Sequence, residues 1–110
     1  MATDNFKVLA QATPAADTLI DLYVTPAATS TVVSTLTFCN RGSDALHFRF
    51  AVAVAGAADA PKQYIYYDLP LAPHDTFIAT LGITLAAADV MRVQTDVATL
   101  SVNAFGDEVT

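Results

Sequence analysis

The sequence predicts an all-β fold, a single antiparallel β-sandwich of jelly-roll type with about seven to nine strands. Three observations support this prediction. Apolar residues alternate with polar or small residues over much of the chain. Turn residues interrupt this alternation at intervals of roughly eight to twelve residues, and no stretch is convincingly helical. The length of 110 residues suits one core, so we expect residues 1–110 to form one domain.

The clearest strand runs from Leu46 to Val54. Its larger apolar side chains share one parity: Leu46, Phe48, Phe50, Val52 and Val54. The other parity holds His47, Arg49 and two alanines, so one face of the strand is continuously apolar. We predict a central strand whose opposite face contacts another part of the protein.

The segments before it show weaker forms of the same pattern. Residues 6–11 predict a first strand or a docking arm within residues 1–14, and residues 18–24 predict a second strand. Residues 31–40 are rich in β-branched types and predict a third. A turn follows in which Gly42 is free to take a positive φ. We expect Leu36 and Phe38 to pair with Phe48 and Phe50 in an antiparallel centre.

The second half predicts four further strands. Residues 62–68 alternate, but the two prolines within residues 69–73 exclude a central strand there because they remove ladder donors. Residues 76–81 form the next strand. Residues 90–95 are expected to pair with residues 98–105, and the last five residues to form an acidic tail.

Composition narrows the classes of function. Five basic and eleven acidic side chains give a net charge of −6, and the basic residues are scattered singly, which argues against nucleic-acid binding. Cys39 is the single cysteine, so no intrachain disulfide can form. The N-terminus does not match a signal peptide, and no apolar run reaches the roughly 18 residues of a membrane helix. We expect a soluble, unsecreted protein with no membrane partner.

No catalytic constellation is visible, and we expect no enzymatic activity and no cofactor. His47 and His74 are the only side-chain bases near neutral pH. Cys39 and His47 could face each other across a hairpin, although a structural thiol under a packed histidine is favoured. No transition-metal motif occurs. A calcium-stabilised module remains an alternative, with ligands from aspartates near loops: Asp59, Asp68, Asp75, Asp89 and Asp96.

Seven residues are candidates for an assembly interface because they belong to the N-terminal arm, form the tyrosine cluster or supply a lone cation on a face of small residues: Phe6, Lys7, Val8, Arg49, Tyr64, Tyr66 and Tyr67. Two alternatives stay open for them. Tyr64 or Tyr66 could cover a sheet edge while Tyr67 joins the core. Arg49 could pair with a partner's carboxylate, or with Asp21 or Asp68 inside the same sandwich.

Nearly the whole chain resembles a family of small all-β proteins from the structural gene clusters of tailed bacteriophages. The most specific segments are CNRGS at residues 39–43, YIYYDLP at 64–70, the DTF to GITL stretch at 75–85, and the closing AFGDE at 104–108. One departure is Ala88, where glycine would suit the turn; it indicates a backbone without a positive φ.

The resemblance implies a virion component, made in the bacterial cytoplasm and bound in many copies to the head or the tail. A capsid decoration or cement protein and a tail or baseplate adaptor subunit both fit. The expected partners are copies of the chain itself and other phage structural proteins. The alternative function is a carbohydrate- or receptor-binding module on the phage particle, with Tyr64, Tyr66 and Tyr67 as a stacking platform.

Overall fold

The computed structural model describes residues 3–110. Nine strands cross this part of the chain, together with two short 3-10 segments at Val54–Gly56 and Pro61–Gln63. The strands are β1 (Asp4–Ala12), β2 (Ile20–Val24), β3 (Ser30–Asn40), β4 (Leu46–Ala53), β5 (Tyr64–Leu71), β6 (Thr76–Ala79), β7 (Ile83–Leu85), β8 (Val90–Thr95) and β9 (Leu100–Val109). Neither helical segment between residues 3 and 110 has the length and apolar run that crossing a membrane requires. Residues 1 and 2 of the predicted docking arm lie outside the described residues.

The strands form two antiparallel sheets. Sheet one has the order β1-β9-β3-β6, and β7 continues along the side of β3 that β6 occupies. Sheet two has the order β2-β8-β4-β5. Early strands therefore pair with late ones in a nested series: β1 with β9, β2 with β8, β3 with β6 and β7, and β4 with β5. This rolled double ribbon is the jelly-roll form of the β-sandwich, so the predicted fold class is confirmed.

The core lies between the two sheets and is centred on aromatic rings. Phe38 of β3 stacks on Phe48 of β4 with ring centroids 4.4 Å apart. The rings of Phe50 and Tyr66 each pack edge to face against the ring of Phe38. The predicted pairing of these segments within one sheet was wrong, because β3 and β4 belong to different sheets and their side chains meet face to face. Alternation shows which residues point toward the core. It does not show whether the partner of a strand lies beside it in the same sheet or across the core in the other sheet.

The prediction for β4 is confirmed in most respects. The strand is central, between β5 and β8. Leu46, Phe48 and Phe50 are fully buried and Val52 packs against the same core. Val54 is 70% exposed instead, because the chain leaves the strand at Ala53 and enters a 3-10 turn.

The other face of β4 is covered where its alanines lie. Ala51 and Ala53 are fully buried. The loop after β4 is tied back by Arg92, the neighbour of Ala51 on β8, which donates hydrogen bonds to the carbonyls of Gly56 and Ala57. The predicted contact of this face with another part of the protein therefore holds at the two alanines, whereas His47 and Arg49 lie at the surface.

Two predictions about later strands need correction. The expected pairing of residues 90–95 with residues 98–105 was wrong, since β8 lies in sheet two and β9 in sheet one. The strand expected to end at Asp68 continues to Leu71 and includes Pro70. It does so at the outer edge of sheet two, where a missing N–H interrupts no ladder, so the exclusion of a central strand holds.

Two predictions about turns were also wrong. Ala88 has a φ of 70°, in the left-handed region that alanine rarely adopts. The carboxylate of Asp89 stabilises this turn, because it accepts hydrogen bonds from the backbone N–H groups of Ala86 and Ala55 at 2.9 and 2.8 Å. Gly42 does not take a positive φ. Its lack of a side chain matters for a different reason, since a Cβ there would lie 2.8 Å from a methyl of Thr99.

Candidate binding surfaces

The outer face of sheet one carries an apolar patch formed by Phe6, Val8, Val32 and Phe105. Phe6 and Val8 lie on edge strand β1 and are 79% and 49% exposed. Val8 is paired with Phe105 of β9. Asp107 of β9 is paired with Phe6 of β1 on one side and with Val32 of β3 on the other. The patch borders a shallow groove of about 440 Å³. The alternation of three neighbouring strands thus places apolar side chains around Asp107 on one water-exposed face.

Lys7 is not part of this patch, because it alternates with Phe6 and Val8 along β1. Its ammonium group contacts the carboxylate of Glu108 at 3.0 Å. Glu108 also accepts a short hydrogen bond from the hydroxyl of Tyr23, which lies 2.9 Å from the hydroxyl of Thr31. This cluster joins β1, β3 and β9 of sheet one to β2 of sheet two at one end of the sandwich.

The electrostatics of the cluster follow from its partners. The hydrogen bonds from Tyr23 and Lys7 lower the pKa of Glu108 below its usual value, so the buried group is a carboxylate at neutral pH. Burial, together with the hydrogen bond to Glu108, raises the pKa of Tyr23 to about 12, so its phenol remains a donor. The predicted acidic tail was therefore wrong: residues 106–109 belong to β9, and Glu108 is an internal anchor.

Arg49 organises the outer face of sheet two. Its guanidinium donates to both carboxylate oxygens of Asp68, at 2.7 and 3.3 Å, and lies 4.1 Å from the ring centroid of Tyr67. The hydrogen bonds hold the pKa of Arg49 above and that of Asp68 below their usual values. Of the alternatives left open for Arg49, pairing with Asp68 is the one observed. Asp21 pairs with Arg92.

The tyrosine groove lies beside Arg49 and is lined by Arg49, Asp59, Ala60, Pro61, Tyr64 and Tyr67. Its volume is about 520 Å³. The rings of Tyr64 and Tyr67 meet at right angles with centroids 5.1 Å apart. The hydroxyl of Tyr64 donates to Asp59 at 2.8 Å, and burial together with this bond raises the pKa of Tyr64. Arg49, Asp59 and Tyr67 of this lining are therefore each in contact with another side chain.

A polar groove of about 390 Å³ adjoins it on the other side of Arg49. His47 and Asp96 form one wall, with Nδ1 of His47 and Oδ2 of Asp96 3.1 Å apart. The rest of the lining comes from Asp17, Asp68, Gln94 and Thr95. Because Arg49 borders both grooves, one guanidinium separates an aromatic surface from a hydroxyl-, amide- and carboxylate-rich one.

Tyr66 is separated from the other two tyrosines of β5. It packs inward against Phe38, Phe48 and Phe77, whereas Tyr67 is 60% exposed. The alternative in which Tyr67 joins the core was therefore wrong. The reason is that the β4–β5 ladder shifts register at two places, which changes the face that each β5 residue presents. Single-sequence alternation carries no signal for such bulges.

In the part of the chain that the structure describes, the residues named for catalysis or metal binding are not brought together. Cys39 lies on β3 of sheet one and His47 on β4 of sheet two, so the proposed contact across a hairpin was wrong. Across residues 3–110, no three His, Cys, Asp or Glu side chains come together in a way that could hold a metal ion. The loop aspartates instead bond within the chain, as Asp59 does with Tyr64 and Asp68 with Arg49.

No family model and no curated protein sequence matches this chain. A chain from the structure of infectious bursal disease virus, Gx strain, is similar in fold, with a TM-score of 0.51 and 11% sequence identity. The match covers 99% of this chain and 31% of that one. At this identity the similarity shows the fold alone. The neighbour comes from a virus other than a tailed bacteriophage, so the resemblance to tailed-bacteriophage proteins stays a prediction.

Proposed function

We propose that this chain is a non-enzymatic structural subunit of a tailed-bacteriophage virion, bound in many copies as a capsid decoration or cement protein or as a tail or baseplate adaptor. The observation that carries the proposal is the apolar patch on the outer face of sheet one. Jelly rolls recur among viral capsid domains, and the similar fold in a virus structure agrees with that use. Copies of the chain and neighbouring virion proteins are the partners that would cover the patch.

The patch supports assembly through the hydrophobic effect. Fully burying a side chain such as Phe6 contributes about 1.5–3 kcal/mol, and an assembled particle repeats the contact many times. Edge strand β1 adds unpaired backbone groups beside the patch, which a neighbouring chain can satisfy. The net charge of −6 favours protein partners over nucleic acid.

The experiment uses a double variant, Phe6→Ser with Val8→Ser, and Ile65→Ser as the matched control. Ile65 is also an exposed apolar residue on an edge strand, but it lies in sheet two. Sedimentation and particle-binding assays should show that the wild-type chain self-associates or attaches to phage particles assembled without it. We expect the double variant to lose both properties and the control to keep them.

Two outcomes would overturn the proposal. One is a wild-type protein that stays monomeric at every concentration and does not attach to particles lacking it. The other is a double variant that assembles as well as the control. Circular dichroism of each variant verifies that the sandwich is intact before assembly is compared.

A further inference from the structure

The outer face of sheet two holds a side-chain array that the assembly role does not use. Arg49 forms two hydrogen bonds with Asp68 and stacks on Tyr67, Tyr67 meets Tyr64 edge to face, and Tyr64 donates to Asp59. This unbroken series of contacts fixes the rotamer of each member. A surface that is merely solvated needs no such order, whereas a binding site gains affinity when its groups are held in place beforehand.

Arg49 and Asp59, which both line the tyrosine groove, have unused hydrogen-bonding capacity. Within residues 3–110, Nη1 of Arg49 donates to no protein atom, and only one carboxylate oxygen of Asp59 accepts a bond. The groove therefore offers a strong donor and a strong acceptor beside aromatic surface. Its volume of about 520 Å³ lies in the range of small-molecule sites, which is about 300–1,000 Å³.

The charges around the groove restrict the ligand. One guanidinium and the carboxylates of Asp59 and Asp68 leave a local excess of negative charge, and the whole chain is acidic. Anionic ligands are therefore repelled. A neutral pyranose suits the groove, because its C–H face can pack on a tyrosine ring while its hydroxyls both donate to Asp59 and accept from Arg49.

We propose that the tyrosine groove is a binding site for a neutral saccharide, with Tyr67 as the stacking surface and Arg49 and Asp59 as the hydroxyl partners. The polar groove continues the site beyond Arg49 and offers Gln94, His47 and Asp96 to a second sugar unit. Tyr66 takes no part, since its ring lies in the core. The site is independent of the apolar patch, which lies on the opposite face of the sandwich.

An array of neutral and anionic glycans, probed with the labelled full chain, tests the proposal. At least one neutral glycan should bind, and Tyr67→Ala should weaken that binding roughly tenfold or more, as for a central aromatic contact. Asp59→Asn should weaken it less. Tyr64→Phe keeps the ring but frees Asp59 from its internal donor, so it separates stacking from hydrogen bonding. Ile78→Ala, at an exposed apolar residue on β6 of sheet one outside the apolar patch, should bind like the wild type.

Three results would overturn the proposal. They are an array on which no neutral glycan binds the wild type more strongly than the Tyr67→Ala variant, a preference for anionic glycans, and an Ile78→Ala variant that loses binding while Tyr67→Ala keeps it. Because Tyr67 is mostly exposed, Tyr67→Ala should fold normally, and circular dichroism verifies this. Loss of glycan binding without loss of assembly separates this site from the proposed structural role.

Discussion

The outer faces of the two sheets differ in chemistry although the same alternation produces both. Sheet one presents Phe6, Val8 and their neighbours as exposed apolar area around a single carboxylate, that of Asp107. Sheet two presents Arg49 and Asp68 as an ordered ion pair framed by tyrosines. Burial of the apolar side chains on the first surface contributes favourable free energy only when another surface covers them. The second can exchange a small polar ligand with water, so one sandwich can be anchored by one face and remain available on the other.

The sharpest comparison within sheet one is between its inner and outer phenylalanines. Phe38→Ala should lower the free energy of unfolding by about 3–5 kcal/mol, because it removes the ring that Phe48, Phe50 and Tyr66 pack against. Phe6→Ala should change it by no more than about 0.5 kcal/mol, because that ring is mostly in water. Urea denaturation of the two variants measures both values. Similar losses would contradict the assignment of Phe6 to a surface that is covered only on assembly.

A second comparison sets the internal carboxylate of Glu108 against the surface carboxylate of Asp68. Glu108→Gln should destabilise the protein at neutral pH by about 1–3 kcal/mol, because Lys7 and Tyr23 lose a charged partner in a site where only 12% of the Glu108 side chain is exposed. Asp68→Asn should cost less, since half of the Asp68 side chain is exposed to water.

The pH dependence of Glu108 has a definite sign. Its pKa is lower in the folded protein than the ordinary value of 4.5, so its stabilisation is present above that pH and is lost as the pH falls through the folded-state pKa. The free energies of unfolding of wild type and Glu108→Gln should therefore converge in acid. Denaturation curves at neutral pH and about pH 3 measure this. A constant difference would contradict the assigned role of the carboxylate.

A third comparison concerns the order of the sheet-two face. Arg49→Lys keeps the charge but loses the two-pronged bond to Asp68 and the stacking on Tyr67, and should lower stability by about 0.5–1 kcal/mol. Arg41→Lys is the matched control, because Arg41 makes one side-chain hydrogen bond, to the carbonyl of Ala98. Thermal unfolding and tyrosine near-UV circular dichroism compare the two. Equal effects would show that the array around Arg49 is no more ordered than an ordinary surface arginine.

The alternation in the sequence predicts which residues face the core but not how the strands are arranged. Leu46, Phe48 and Phe50 were identified as core residues because a central strand buries one whole parity. The partners of β3 and β8 were misassigned because the hydrophobic pattern is the same whether the neighbour lies beside a strand or across the core.

The residues of the tyrosine groove and of the Glu108 cluster were predicted only in part, because alternation does not show which strands and loops come together. Tyr64, Tyr67 and Arg49 were recognised from their residue types, whereas Asp59 gains its role through a contact with Tyr64 that depends on a loop conformation. Glu108 was missed because burial of a carboxylate requires donors that are remote in sequence, here Lys7 and Tyr23.

The nested pairing of the strands also has a kinetic consequence. Among the strands of residues 3–110, β1 pairs with β9 alone, so β1 leaves the ribosome well before its partner in the sheet has been made. Contacts between such distant segments form slowly because a long stretch of chain must be closed first. During that interval the apolar side chains of β1 are exposed on an unpaired strand, which is a setting for misassembly. A chaperone that covers β1 during this interval should therefore raise the yield of folded protein.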